Sequence, residues 1–149
     1  MRAVVQRVKK SSVTVGNAVT GEIGHGLMVL IGVEKGDTEK DAVYIADKIT
    51  GLRIFEDSDG KMNLSVRDVA GDILAVSQFT LLGDVRKGKR PSFTNAAEPE
   101  QANEIYRKTI SLIKEKNINV REGIFRAEMM VEIYNYGPVT ILLDSKKIF

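Results

Sequence analysis

The stretch GLMVLIGV at residues 26–33 is a continuous apolar run of strand length. Such a run is typical of a strand that is buried on both faces of a sheet. The segments RAVVQRV at residues 2–8 and SSVTV at residues 11–15 alternate between apolar and polar residues, as half-buried strands do. The three segments therefore predict strands, of which residues 26–33 are the most deeply buried.

Two further segments carry the spacing of amphipathic helices. In the first, residues 37–51, apolar residues recur at i, i+3, i+4 and i+7, and Asp37 or Thr38 can cap its start. The second, residues 98–117, has Pro99 in its first turn. The apolar faces consist of Ala42, Ile45, Ala46 and Ile49 in the first helix and of Ala102, Ile105, Tyr106, Ile110 and Ile113 in the second. Both faces predict packing against a core.

The rest of the chain predicts strands that are joined by turns. Strand character is present in residues 52–57, 72–82, 119–125 and 128–144. Asp59-Gly60 indicates a tight turn rather than a calcium loop, because later ligand positions of such a loop are missing. No repeat, low-complexity tract or linker divides the chain. We expect one mixed α/β domain over residues 1–149, with two main helices and roughly seven strands.

The composition limits the chemistry that the chain can perform. There is no cysteine, which excludes disulfides, thiolate nucleophiles and thiolate metal sites. The one histidine, His25, lies between glycines ahead of an apolar strand and is interpreted as a turn residue. Chemistry must then come from hydroxyls, amides, carboxylates, amines, the backbone or the substrate. No apolar run is long enough to span a membrane, and the first residues do not have the form of a signal peptide.

Residues 75–82, AVSQFTLL, combine strand character with polar side chains. Ser77, Gln78 and Thr80 lie in a segment that is otherwise expected to be buried. A buried polar group without a partner costs about 1–3 kcal/mol. These groups are therefore either satisfied within the fold or placed to bind another molecule.

A second unusual segment is NYGP at residues 135–138, which separates two strand-like stretches. Pro138 cannot donate a hydrogen bond to a sheet, so it ends or bends the pairing. Gly137 allows another molecule to approach the backbone closely. A plain hairpin turn and a binding surface both fit this pattern.

Positive charge is concentrated in one loop. Arg86, Lys87, Lys89 and Arg90 lie around a glycine, shortly before Phe93. The formal net charge of +2 is compatible with a nucleic-acid partner without requiring one. Both a solvated loop and a phosphate-binding loop remain open on charge alone.

Together these motifs resemble those of the D-aminoacyl-tRNA deacylases, also called D-tyrosyl-tRNA deacylases. The resemblance covers essentially the whole chain. Its motifs are MRAVVQRV at residues 1–8, GLMVLIGV at 26–33, SQFTL at 77–81, KGKRPSF at 87–93 and GPVT at 137–140. SQFTL with a downstream GPVT at this separation is a specific signature. One departure is Tyr136, a position at which the family commonly has an acidic residue.

The resemblance implies a layered β/β/α sandwich that acts as a homodimer in the cytoplasm. The family hydrolyses the ester that joins a D-amino acid, or glycine, to the terminal adenosine of tRNA, and it refuses L-aminoacyl-tRNA. The implied role is chirality proofreading in translation. D-aminoacyl-tRNA and glycyl-tRNA are the implied substrates, and we expect no cofactor, metal or membrane partner.

The resemblance also implies roles for individual residues. The implied substrate-binding residues are Ser77, Met129, Gly137, Pro138 and Arg7, and the implied catalytic residues are Gln78, Phe79 and Thr80. Gly137 and Pro138, in the cis form and supported by Arg7, would face the chiral centre in the partner subunit's pocket, where an L side chain would clash. Lys87 and Arg90 are candidates for phosphate contacts, and Phe93 for a place near the terminal adenine.

Two mechanisms of hydrolysis are open at this point. In the first, Thr80 is a nucleophile that forms an acyl-enzyme, which requires a base to activate its hydroxyl. In the second, water attacks, backbone N–H groups near Phe79 and the amide of Gln78 stabilise the oxyanion, and the ribose 2′-hydroxyl helps to move the proton. The composition favours the second mechanism, because it demands least of side-chain acid–base chemistry.

Two other classes of protein are alternatives. A non-catalytic RNA-binding protein fits the basic loop, although the charge is modest and no aromatic RNA-binding platform is evident. A small-molecule-binding oligomer would use the polar strand as its ligand pocket. Neither alternative explains why SQFTL and GPVT occur together.

Overall fold

The protein is built on a six-stranded mixed sheet against which two α-helices pack. The computed structural model describes residues 1–149. The strands are β1 (Arg2–Val15), β2 (Ala18–Ile23), β3 (Gly26–Gly32), β4 (Phe55–Glu56), β5 (Met62–Leu64), β6 (Asp72–Ser77), β7 (Val120–Glu122) and β8 (Met130–Asp144). The helices are α1 (Glu39–Gly51) and α2 (Pro99–Lys114), and a 3₁₀ helix spans Phe79–Leu82. Neither α-helix has the length and apolar character needed to cross a membrane.

Strand β1 organises the sheet. Along one edge β1 pairs antiparallel with β3 and then with β2, and along its other edge it pairs antiparallel with β8. β3 pairs in parallel with β6, and β6 pairs in parallel with β7. β3 therefore has partners on both edges, and its apolar side chains are almost fully buried. The prediction of a doubly buried strand in this region is confirmed.

The sheet curls until it is nearly closed, because β2 contacts β6 and β7. Gly21 in β2 marks a close approach: a Cβ there would lie 2.8 Å from the backbone oxygen of Glu122 and 3.0 Å from a methyl group of Leu74. Six buried side chains form a small core among the strands, namely Val8, Val13, Ile23, Met28, Leu74 and Val76. A larger core of 23 buried residues joins the sheet to the helices. The expected sandwich thus takes the form of one curled sheet with a helical layer.

The chain has eight strands rather than roughly seven. The prediction of separate strands at residues 2–8 and 11–15 is wrong: they form one strand, β1, because β8 pairs along almost its whole length. Strands β2 and β5 were not predicted, and β5 pairs with β4 in a short hairpin. The tight turn predicted at Asp59-Gly60 joins these two strands, and Gly60 adopts the left-handed φ of +75° that such a turn requires. Both predicted helices are present, with Thr38 rather than Asp37 preceding α1 as its cap.

The prediction that residues 72–82 form one strand is wrong beyond Ser77. β6 ends there because its parallel partner β3 also ends, so no edge remains for further pairing. The N–H of Gln78 donates a hydrogen bond of 2.7 Å to the oxygen of Ile31, and the chain then turns into the 3₁₀ helix. Gln78 and Thr80 therefore leave the edge of the sheet instead of lying buried within it.

Residues 128–144 were expected to form two strands, but they form the single strand β8 with an irregular centre. Between the pairs Gln6–Thr140 and Val8–Asn135, residues 136–139 lie opposite Arg7 alone. Of the two outcomes expected at Pro138, the structure shows the second: the pairing of β8 with β1 is bent there and does not end.

Candidate active site

A cavity of about 430 Å³ opens where the parallel strands β3 and β6 end. Ligands commonly bind beyond the carboxyl ends of parallel strands. Twelve of the sixteen residues that line the cavity are hydrophobic, and they come from β3, β6, the start of α2 and the segment that leads into β8. An apolar lining with a few polar groups is typical of a small-molecule or cofactor site.

Residues 77–80 bring polar groups to the edge of this cavity. Ser77, Gln78 and Phe79 line it, and the side-chain amide of Gln78 donates a hydrogen bond to the hydroxyl of Thr80. The ring of Phe79 is 57% exposed and meets the ring of Phe93 edge to face, with 5.1 Å between centroids. The structure thus places three residues of the SQFT motif in the cavity lining, and Thr80 is joined to them through its hydrogen bond with Gln78.

Met129 lines the same cavity from the segment before β8. Gly123 leaves room for it, because a Cβ at Gly123 would lie 2.6 Å from the sulfur of Met129. Arg126 is the only charged residue in the lining, and its backbone has a left-handed φ of +66°. Sequence reasoning missed Arg126 and the apolar walls, because a lone arginine in a loop carries no motif.

The cavity contains no side chain that could act as a general base near neutral pH. No carboxylate or imidazole lines it. His25 lies in the connection between β2 and β3, as expected of a turn residue, and its ring is 5.1 Å from that of Phe55. Partial burial and the positive charges of Lys9 and Arg7 lower the pKa of His25. No group of three or more histidine or carboxylate side chains is arranged to hold a metal ion.

Arg7 and the Gly137-Pro138 segment form a second cluster, on β1 and β8. Arg7 is only 3% exposed, and it donates hydrogen bonds to the backbone oxygens of Tyr136 at 3.1 Å and Ile54 at 2.7 Å. The Gly137-Pro138 peptide bond is cis, and both residues are exposed. They do not line the cavity of their own chain. The structure therefore brings Arg7 to this segment and leaves both outside the cavity.

Asn135 stabilises the irregular part of β8. Its side-chain amide donates hydrogen bonds to the backbone oxygens of Val139 at 2.9 Å and Arg7 at 3.3 Å. Gly137 has a φ of +122°, and a Cβ there would lie 2.8 Å from both a nitrogen of Arg7 and a methyl group of Val139. Glycine is therefore required at this position. Sequence reasoning assigned no role to Asn135, although an asparagine beside Gly-Pro within a strand was an available signal.

Fold and site together define a class of protein: a small α/β domain with an apolar cavity that offers hydroxyl, amide and backbone groups but no carboxylate or imidazole. The family model for D-Tyr-tRNA(Tyr) deacylase matches residues 4–144. The D-aminoacyl-tRNA deacylase of Koribacter versatilis is 60% identical over 149 residues, which covers the whole of both chains. The chain belongs to the D-Tyr-tRNA(Tyr) deacylase family, which confirms the family and the hydrolase class that SQFTL and GPVT predicted.

Solved structures support the fold. The c-Myc DNA unwinding element binding protein superposes with a TM-score of 0.91 at 43% identity, over 97% of this chain and 98% of that chain. A probable eukaryotic D-amino acid tRNA deacylase superposes with a TM-score of 0.78, over 95% of this chain and 97% of that chain. Its identity of 17% limits that second comparison to the fold.

Gly137→Ala is expected to lower the free energy of unfolding by about 1 kcal/mol or more, because alanine is strained at positive φ and its Cβ would collide with Arg7 and Val139. Denaturant titration followed by circular dichroism measures this change. Gly24→Ala is the matched control, because a Cβ at Gly24 would have no atom within 4 Å and its φ lies outside the left-handed region. Equal stability of the two variants would contradict the steric requirement.

Proposed function

We propose that this protein hydrolyses the ester between a D-amino acid, or glycine, and the terminal adenosine of tRNA, and that it refuses L-aminoacyl-tRNA. Its role is then chirality proofreading of translation in the cytoplasm. The observation that carries the proposal is the position of Ser77, Gln78 and Phe79 in the lining of a cavity that has no carboxylate or imidazole. Relatives named D-aminoacyl-tRNA deacylase match the whole chain and support the same activity.

Water attacks the ester carbonyl in the proposed mechanism. Backbone N–H groups near Phe79 and the side-chain amide of Gln78 stabilise the charge that develops on the carbonyl oxygen. An amide carries two N–H donors, so Gln78 can bond Thr80 with one and the oxyanion with the other. The 2′-hydroxyl of the terminal ribose helps to move the proton, because no carboxylate or imidazole lines the cavity. Thr80 then positions Gln78.

Gly137 and Pro138 form the proposed chiral filter. Both are exposed on β8, outside the cavity of their own chain, and Arg7 holds the backbone beside them. A wall of backbone atoms contacts the α-carbon and α-amino group and is indifferent to the side chain of a D-residue. An L side chain would collide with this wall, whereas glycine has no side chain to collide.

A homodimer follows from this arrangement, because the filter must serve the cavity of another chain. Strand β8, which carries the filter, also exposes the apolar side chains of Met130, Ile133 and Leu142 by 71%, 36% and 58%. Exposed apolar surface of this kind marks interaction sites. In a two-fold dimer through this strand, each chain lends its filter to its partner.

The basic loop is proposed to contact tRNA phosphates through some of its cations. Arg86 is engaged within the loop, since it donates hydrogen bonds of 2.9 and 2.6 Å to the carboxylate of Asp84. These hydrogen bonds lower the pKa of Asp84 to about 2. Lys87 and Arg90 are exposed and form no ion pair, so both remain available to phosphates. Phe93 packs against Phe79, which lines the cavity, and it is proposed to lie near the terminal adenine.

The protein is expected to deacylate D-tyrosyl-tRNA and glycyl-tRNA rapidly. The ester of L-tyrosyl-tRNA should hydrolyse at its spontaneous rate whether or not the protein is present. Release of labelled amino acid from the three substrates measures this selectivity.

A variant with Lys87→Ala and Arg90→Ala should have a higher KM for charged tRNA and a KM that depends less on salt concentration, because phosphate contacts are lost.

The same assay separates the rival classes of protein. Equal decay of all three esters with and without the protein would refute the deacylase proposal. Tight binding of charged tRNA without turnover would then favour the RNA-binding class. Indifference to tRNA would favour the small-molecule-binding oligomer.

Thr80→Val distinguishes the two mechanisms of hydrolysis. Water attack predicts a loss of kcat below about 100-fold, because Thr80 only positions Gln78, whereas loss of a nucleophile typically costs on the order of 10⁴-fold or more. Steady-state kinetics measures kcat, and mass spectrometry of quenched reactions detects any acyl-enzyme. Thr80→Ser keeps the hydroxyl and is the control. An acyl group on Thr80 would contradict water attack.

Mixed dimers test whether the filter serves the partner. One chain carries Gln78→Ala in the cavity, and the other carries Gly137→Ala in the filter. If the filter acts across the interface, one site receives both defects and the other receives none, so selective activity returns to roughly half that of the unmodified dimer. A filter that acts within its own chain would leave one defect in each site, and no selective activity would return. Mixing two differently tagged copies of one variant is the control.

A further inference from the structure

Tyr136 contacts the supports of the Gly137-Pro138 segment through both its backbone and its side chain. Its backbone oxygen accepts the hydrogen bond from Nε of Arg7 at 3.1 Å. Tyr136 is 42% exposed. The centroid of its ring lies 5.0 Å from the guanidinium carbon of Arg7 and 4.0 Å from Nζ of Lys9. Two cations of β1 therefore converge on one aromatic ring of β8.

Positive charge at this place has little compensation from carboxylates. The closest ion-pair partner of Arg7 is Glu56, at 3.7 Å, and the carboxylate side chain of Glu56 is 50% exposed. Lys9 forms no ion pair. The negative face of an aromatic ring attracts cations, and this attraction is stronger where the cation is shielded from water, as Arg7 is. The ring of Tyr136 lies against both cations and therefore offsets part of the repulsion between Arg7 and Lys9.

We propose that Tyr136 is a positioning residue that fixes the Gly137-Pro138 segment through cation–π contacts of its ring with Arg7 and Lys9. The inference rests on the proposed role of this segment as the chiral filter. Loss of the ring would free the Arg7 side chain to move and would loosen the adjoining backbone. The ring carries this role and the hydroxyl does not. The one hydrogen bond between Tyr136 and another side chain is donated by Arg7 to the backbone oxygen of Tyr136, so it does not involve the hydroxyl.

The chain offers a matched control two residues away. Tyr134 is 50% exposed on the same strand, and Nζ of Lys10 lies 4.1 Å from its ring centroid. It therefore has the same kind of cation–π contact, but it makes no contact with Arg7. A general effect of removing an exposed tyrosine from β8 would appear equally in Tyr134→Leu and Tyr136→Leu.

The kinetic test compares kcat/KM for D-tyrosyl-tRNA and L-tyrosyl-tRNA across four proteins. Tyr136→Leu is expected to lower the D-to-L ratio by about threefold to thirtyfold, with the change for the D-ester mainly in KM. Tyr136→Phe, which keeps the ring, and Tyr134→Leu should both retain the ratio of the unmodified protein. Equal ratios in Tyr136→Leu and Tyr134→Leu would overturn the proposal, as would a loss in Tyr136→Phe as large as that in Tyr136→Leu.

A spectroscopic test does not depend on activity. Hydrogen exchange of the Arg7 Nε–H, followed by NMR, should be at least about threefold faster in Tyr136→Leu than in Tyr136→Phe or Tyr134→Leu. Exchange that is equal in all the variants would overturn the inference. An unmodified protein without activity on D-tyrosyl-tRNA would refute the proposed function, and the exchange experiment would still decide the positioning role. If Tyr136→Leu does not fold, Lys9→Gln takes its place, because this variant keeps the ring and removes one cation. The proposal would then be overturned if Lys9→Gln left both the D-to-L ratio and the exchange rate unchanged.

Discussion

One buried cation connects the parts of the chain on which the candidate site depends. Arg7 in β1 donates hydrogen bonds to the backbone of Tyr136 in β8 and of Ile54 ahead of β4. A buried charge is tolerated only where its donors are satisfied, so these segments must hold their positions relative to β1. A lysine could not make both bonds, because it lacks the planar set of donors of a guanidinium. The backbone that leads into Gly137-Pro138 is held by this constraint.

The proposed division of labour assigns chemistry and selectivity to different kinds of groups. Neutral side chains and backbone groups at residues 77–80 would stabilise the reacting ester, while the backbone of Gly137-Pro138 would reject one configuration. A pocket shaped around a single side chain would exclude most D-residues together with the L-residues. A wall of backbone atoms avoids this conflict because it contacts only what all amino acids share. The apolar lining of the cavity is consistent with such broad acceptance.

Local patterns in the sequence were sufficient for some elements and not for others. Apolar spacing located both helices, because burial of one face leaves a periodic pattern in the sequence. A continuous apolar run located β3, because both faces of that strand are buried. The end of β6 at Ser77 depends on where β3 ends, which no local pattern contains. The continuity of β8 likewise depends on the hydrogen bond from Asn135 to Arg7, across 128 positions. The family resemblance assigned Ser77, Gln78, Phe79 and Met129 to one site, whereas Arg126 was found only through its position in the cavity lining.

The pairing of β1 with β8 also has a consequence for how the molecule forms. Arg2 pairs with Asp144, so the sheet cannot be completed until segments 142 positions apart have met. Contacts between such distant segments form slowly, because the entropy of closing the chain is lost before the contacts form. Until β8 docks, β1 keeps an unpaired edge that can recruit strands of other molecules. We therefore expect aggregation during folding to begin at the strand that carries Arg7, and dilute conditions to favour recovery of the native protein.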